Sequence, residues 1–152
     1  NYVSPDGSLA VNTWKKADGK WYYFGADGTR SRGWLNYGGR WYYMDGNGVM
    51  QTGWVDINNG SWFYLGPDGD MQTGWIQPVP GNWYYLNQYG YMERSWVLIN
   101  GRWYYMDENG RMQTGWIQYK DNWYFLHSDG AMAQGTAIDG WQIGADGIAG
   151  KE

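Results

Sequence analysis

The 152-residue chain has no cysteine, one histidine, three phenylalanines and no basic run. Each shortage removes a class of protein. Without cysteine there is no disulfide framework, no thiolate metal site and no Cys–His nucleophile. With His127 as the sole histidine, a histidine-rich metal centre is excluded. His127, Ser128 and Asp129 are neighbours in sequence, which is not the geometry of a catalytic triad, and His127 reads as a solvated turn residue. A formal charge of −4 without a basic patch argues against nucleic acid as the partner. No apolar stretch approaches transmembrane length, and no signal peptide is visible. The chain begins in mid-pattern at Asn1, as a mature form or an excised fragment would. Leucine, isoleucine and valine are too sparse for a deep aliphatic core, and the mean hydropathy is negative.

In their place stand 13 Trp, 15 Tyr and 25 Gly. Trp and Tyr have apolar bodies and polar tips, so they suit half-buried positions. They are periodic. One Trp recurs at Trp14, Trp34, Trp54, Trp75, Trp96 and Trp116, and a second at Trp21, Trp41, Trp62, Trp83, Trp103 and Trp123, each in steps of 20 or 21 residues. A fixed period of this length is the mark of a repeat architecture.

Within each period the reading is a short strand, a tight turn and a second short strand. The turns are Asp18-Gly19, Gly38-Gly39, Asn59-Gly60, Pro80-Gly81, Asn100-Gly101 and Asp121-Asn122, of the kind that closes hairpins. A further Gly-containing turn joins each hairpin to the next, and helix is not expected anywhere. Insertions at Asn58-Asn59-Gly60 and at Pro78-Val79-Pro80-Gly81 are expected to lengthen their hairpin turns. Residues 1–13 read as the tail of a preceding repeat or an N-terminal cap, 14–133 as six tandem repeats, and 134–152 as an atypical C-terminal cap. In that cap Thr136 stands where a Trp is expected. A lone hairpin buries little, so neighbouring units must stack. Alternation along the second strand puts Trp41 and Tyr43 on one face and Tyr42 and Met44 on the other.

Chemically, the carboxylates sit mainly in Asp-Gly turns, where local hydrogen bonding accounts for them. Asp107-Glu108-Asn109-Gly110 faintly resembles a calcium loop but lacks the ligands that should follow, and no metal or cofactor is expected. Aromatic faces around a cavity bind cations, quaternary ammonium above all. The same rings could pack the stack, or support a sugar, and the residues by themselves leave these readings open.

The segments Met50-Gln51-Thr52-Gly53-Trp54, Met71-Gln72-Thr73-Gly74-Trp75 and Met112-Gln113-Thr114-Gly115-Trp116, each followed by a Gly-x-Trp-Tyr-Tyr-like run, resemble the choline-binding repeats of pneumococcal-type surface proteins, autolysins and phage endolysins. The resemblance spans residues 5 to about 149. It implies an all-β, left-handed solenoid of stacked hairpins with choline held between consecutive hairpins. The implied sets are Trp14, Trp21 and Tyr43; Trp34, Trp41 and Tyr64; Trp54, Trp62 and Tyr85; Trp75, Trp83 and Tyr105; and Trp96, Trp103 and Phe125. Met50, Met71, Met92, Met112 and Met132 would help close them. A sixth set from Trp116 and Trp123 would meet Ile143 and stay open or be lost. Arg30 and Arg32 interrupt the pattern ahead of Trp34 and weaken closure of the Trp14 set.

The function so implied is a non-catalytic, secreted, cell-wall-binding module. Its partner would be choline or phosphocholine on teichoic and lipoteichoic acids, with avidity from several weak sites. The alternatives are α-glucan (dextran) binding, which related repeats perform, and an adhesin surface for a host protein. Related modules can also dimerise through terminal hairpins, and the Ile138, Ile143 and Ile148 cluster would serve a cap or such a dimer contact equally well.

Overall fold

Alternating large side chains on either side of a two-residue turn fold back on themselves. The computed structural model, which describes residues 1–57 and 60–151, is built from that one move. Among the described residues there is no helix. Six antiparallel hairpins run along the chain: β1 (Thr13–Ala17) with β2 (Lys20–Phe24), β3 (Gly33–Tyr37) with β4 (Arg40–Met44), β5 (Gly53–Ile57) with β6 (Ser61–Leu65), β7 (Gly74–Val79) with β8 (Asn82–Leu86), β9 (Ser95–Ile99) with β10 (Arg102–Met106), and β11 (Gly115–Tyr119) with β12 (Asn122–Leu126). The chain closes on a three-stranded sheet of β13 (Thr136–Ile138), β14 (Trp141–Ile143) and β15 (Ala149–Lys151). It divides into two compact units, Asn1–Thr73 with Gln88–Tyr91, and Gly74–Asn87 with Met92–Glu152.

The turns follow from backbone sterics. Gly38 and Gly39 both have positive φ, 61° and 83°, the pairing a two-residue turn needs to match the strands' twist. In the sixth hairpin the turn falls on Lys120-Asp121, with φ of 47° and 68°, and Tyr119 pairs with Asn122. The expected Asp121-Asn122 turn is therefore one residue late: Asn122 already belongs to the strand. The Pro78-Val79-Pro80-Gly81 insertion is also absorbed differently. Its turn keeps two residues, since Val79 pairs with Asn82, and the extra residue is taken up as a bulge between Ile76 and Val79. Asn58 and Asn59 lie outside the described residues.

The core of each unit is centred on the residues that end its second strands. Met44, Leu65, Leu86, Met106 and Leu126, each ending a second strand, are fully buried. Each bridges in antiparallel fashion to a Met six residues on, as in Leu65 with Met71 and Leu126 with Met132. Those methionines connect neighbouring hairpins within each unit. The Met50 N–H donates to the Trp21 carbonyl at 2.9 Å and the Met71 N–H to the Trp41 carbonyl at 2.7 Å; Met112 and Met132 do the same to Trp83 and Trp103, both at 2.8 Å. Their thioethers lie over the glycines of the following connecting turns. At Gly90, with φ of 90°, an added Cβ would come within 2.5 Å of the Met71 sulfur, so only glycine lets the two approach.

The connecting turns are held by their carboxylates. Asp107 Oδ1 accepts the N–H groups of Asn109 and Arg111, both at 2.9 Å, and its Oδ2 accepts from Gln113 Nε2 at 3.3 Å, so this segment is a turn built on its first residue. At Asp6 and Asp27 a hydroxyl joins in: Ser8 Oγ and Thr29 Oγ1 each donate at 2.6 Å. Those hydroxyls, and after them the Ser8 and Thr29 amides, hold the two carboxyls below the usual carboxylate range. A lowered pKa in the folded state stabilises it at pH values above the unfolded-state pKa, and the effect is lost as pH falls through the folded-state pKa. A carbon-detected NMR titration should therefore show Asp6 and Asp27 titrating late in acid. Thr29→Val should return Asp27 toward the ordinary range, and an unchanged Asp27 curve would refute the assigned cause.

Candidate functional site: ring-lined cavities between hairpins

In an antiparallel pair, directly opposed residues share a face. Trp34 opposes Tyr43 and Asn36 opposes Trp41, so Trp34, Trp41 and Tyr43 look one way, while Leu35 and Tyr42 look the other. Within the first unit this sets a fixed junction. Trp34 stands edge-on to Trp41 at 6.4 Å between ring centroids and to Phe63 of the following hairpin at 5.0 Å. Those three rings, with Met71, line an open cavity of about 460 Å³ whose rim is Gln88, Tyr89 and Tyr91. At the first hairpin, Trp14 meets Tyr42 at 5.1 Å, and the Lys16 ammonium lies 6.0 Å from the Trp21 ring.

The second unit repeats the junction. Trp75 meets Trp83 at 6.3 Å and Tyr104 at 5.0 Å; with Met112 they line a cavity of about 340 Å³ rimmed by Ser128 and Asp129. Trp96 likewise meets Trp103 at 6.5 Å and Tyr124 at 5.0 Å. The second-strand Trps are the outer walls: Trp41, Trp83 and Trp123 are 42, 38 and 46% exposed. No described polar or charged side chain is buried, so the walls are neutral rings and thioethers. The ion pairs Arg40–Asp70 at 3.8 Å, with Asp70 half-buried, and Arg102–Asp129 at 3.9 Å, with both partners exposed, lie at the surface and add little stability.

This register sets the expected third walls against the first Trp of their own hairpins. Tyr43, Tyr64, Tyr85, Tyr105 and Phe125 lie 5.0 to 5.2 Å from Trp34, Trp54, Trp75, Trp96 and Trp116, each the first Trp of its own hairpin. They do not reach back to Trp14, Trp34, Trp75 or Trp96 as third walls. The ring one residue earlier does: Tyr42, Phe63, Tyr104 and Tyr124. Of the remaining expected set, Trp54 and Trp62 belong to the first unit and Tyr85 and Met92 to the second. Two rings were not anticipated at all. Tyr37 lies 5.8 Å from Trp14, and Tyr119 lies 5.9 Å from Trp96. The signal was strand parity, since Tyr37 is two residues from Leu35 on the face that looks back. Arg30 is also misplaced by the expectation. It lies 5.5 Å from the Tyr22 ring, beside Asn1 and Tyr2, while Met50 is the residue bonded to Trp21.

The last junction differs most from expectation. Thr136 pairs with Ile143 just as Gly115 pairs with Leu126, so the Trp position falls on Ala137 and Ile143 is a core residue, 2% exposed. Counting back two residues from that core position gives Trp141, where the other hairpins have Tyr42, Tyr104 or Tyr124. Trp116, Trp123 and Trp141, with Ala149, line a cavity of about 360 Å³. Asp139 Oδ2 accepts from Trp116 Nε1 at 3.3 Å and orients that wall. The sixth set is thus closed by Trp141, and the hairpin is shorter by two cross-strand pairs. Buried Ile143 is also unavailable for a contact with a second copy.

Edge-on tryptophan pairs that meet a tyrosine or phenylalanine of the next hairpin, repeated about every twenty residues, define a class of aromatic-rich hairpin repeat. The choline-binding repeat family matches residues 11–51, 51–92 and 94–143, and the chain belongs to that family. Among solved structures it is similar to CbpJ from Streptococcus pneumoniae TIGR4, at 40% identity and a TM-score of 0.84 over 90% of this chain and 47% of that one. It is similar also to choline binding protein F from Streptococcus pneumoniae, at 38% identity and 0.87 over 95% of this chain and 49% of that one. A third likeness, at 40% identity and 0.81 over 87% and 42%, is to CbpF in complex with ipratropium. The chain thus spans about half the length of these three structures, or less. No curated protein sequence matches it.

Proposed function

We propose that the chain is a non-catalytic module that attaches a secreted protein to the bacterial cell wall by binding choline residues of teichoic and lipoteichoic acids. The observation that carries this reading is the cavity of Trp34, Trp41, Phe63 and Met71: neutral aromatic walls, an exposed outer Trp and no buried carboxylate. Such a cage attracts a quaternary ammonium through the ring quadrupoles and through burial of its methyl groups, without asking for a hydrogen bond. Three rings contributing about 1 to 1.5 kcal/mol each correspond to a dissociation constant of about 1 mM for one cage. Several cages on one polymer give firm attachment by avidity. The net charge of −4 disfavours phosphate, so recognition rests on the ammonium.

A choline titration followed by near-UV circular dichroism and Trp fluorescence tests this. A saturable change with a midpoint of about 1 mM, little affected by added sodium chloride, is the expected result. Silence toward choline in the folded protein, with a response to dextran, would replace the reading with α-glucan binding. Partner binding that excess choline leaves intact would replace it with an adhesin.

A further inference from the structure

The cavities at Trp34 and Trp75 are built alike but rimmed differently. Trp34, Trp41, Phe63 and Met71 correspond position by position to Trp75, Trp83, Tyr104 and Met112. The rim in each comes from a later connecting turn. At the Trp75 cavity it is Ser128-Asp129; at the Trp34 cavity it is Gln88-Tyr89, with Tyr91 added, and the volume rises from about 340 to about 460 Å³. Other connecting turns have Asp27, Asn47, Asp68, Asn109, Asp129 or Asp146 where this one has Tyr89. Tyr91 packs on Phe63 at 4.7 Å, tilted by 46°, which extends the cage wall outward. Tyr89 is 68% exposed and Tyr91 45%.

A trimethylammonium group needs only the four inner walls. What the rim adds is flat ring surface with polar edges: two phenol rings, their hydroxyls and the Gln88 amide. A pyranose ring matches such a surface, since it presents C–H groups to an aromatic face and hydroxyls to its edges. We propose that the Trp34 cavity takes a quaternary ammonium together with the sugar to which it is linked, the ammonium among Trp34, Trp41 and Phe63 and the sugar against Tyr89 and Tyr91. The Trp75 cavity, rimmed by a carboxylate and a hydroxyl, takes the ammonium alone. This inference rests on the choline-binding reading above.

The test uses the whole chain labelled with 5-fluorotryptophan, so that fluorine NMR resolves the Trp41 and Trp83 cavities in one sample. The probes are choline, a methyl 6-phosphocholine-hexopyranoside and benzyltrimethylammonium. The hexoside should bind about fivefold tighter than choline at Trp41 and equally with choline at Trp83. Tyr89→Ala should bring the hexoside-to-choline ratio at Trp41 to that at Trp83, with the Trp83 response showing that the fold persists. Equal ratios at the two cavities, or a ratio at Trp41 that survives Tyr89→Ala, would overturn the proposal. So would an equal gain for benzyltrimethylammonium, which would mark the rim as room for apolar bulk. Failure of choline to move any Trp resonance would instead overturn the choline-binding reading itself.

Discussion

Leu65→Ala should lower the unfolding free energy by about 3 kcal/mol. Leu65 is fully buried, at the end of β6, and bridges to Met71. The site has little freedom to collapse. On one side the Met71 backbone is tied to Trp41, and on the other the Gln72 N–H donates to the Tyr64 carbonyl at 2.9 Å. In a repeat protein stability is a sum over units and their nearest neighbours, so the damage should be local before it is global. Amide exchange at Met71 and Gln72 should accelerate well beyond that at Met132, which donates to Trp103 in the other unit. An unfolding free energy from urea titration within about 1 kcal/mol of the parent's would mean that the buried second-strand residues do not carry the fold.

Trp41→Ala should do the opposite, sparing the fold and abolishing one site. Trp41 is 42% exposed, so truncating it opens a solvent-filled gap and leaves no closed cavity in the core. Yet it is the outer wall of the Trp34 cavity, and a desolvated cation–π contact is worth up to about 2 kcal/mol. Choline affinity read at Trp34 should drop at least about tenfold, with the thermal midpoint lowered by only a few degrees. The same measurement settles the register of the cage. Phe63→Leu should weaken choline at Trp34, because Phe63 is the ring that faces it at 5.0 Å. Tyr64→Leu should not, because Tyr64 stands against Trp54 at 5.1 Å. If Tyr64→Leu proves the more damaging, the cage assignment is wrong.

The one-residue difference between those two rings is where sequence reasoning stopped short. Hairpins were legible because their turns need particular backbone angles, and Gly38-Gly39 or Asn100-Gly101 advertise them. Lys120-Asp121 does not, since neither residue is glycine, and the turn there was placed one residue late. The rings at the junctions were legible as a set from the paired tryptophans every twenty residues, although packing of the stack or support of a sugar fitted the same pairs. Their assignment to junctions depended on strand pairing. Once Trp34 is seen opposite Tyr43, both must look forward, and only Tyr42 is left to look back. That pairing follows from counting outward from Gly38-Gly39, so the information was present. At the C-terminus it was hidden by a change of length: Gly135-Thr136 resembles Gly-Trp in sequence but does not align with it in register. The rim at Gln88, Tyr89 and Tyr91 was not legible. It comes from two connectors further on in the chain, and only folding brings it to Trp34.

The shortened last hairpin has a consequence for how such chains change length. It supplies Trp141 to the junction behind it, but has Ala137 where the next junction would need a tryptophan. It is an acceptor without being a donor, like the final link of a chain that has a hook and no eye. Tandem duplication of any earlier twenty-residue block therefore adds one ring-lined junction and leaves this short hairpin untouched. Duplication of the short hairpin itself adds none. The number of such junctions ahead of residue 136 can thus change one at a time without any rebuilding of β13 to β15.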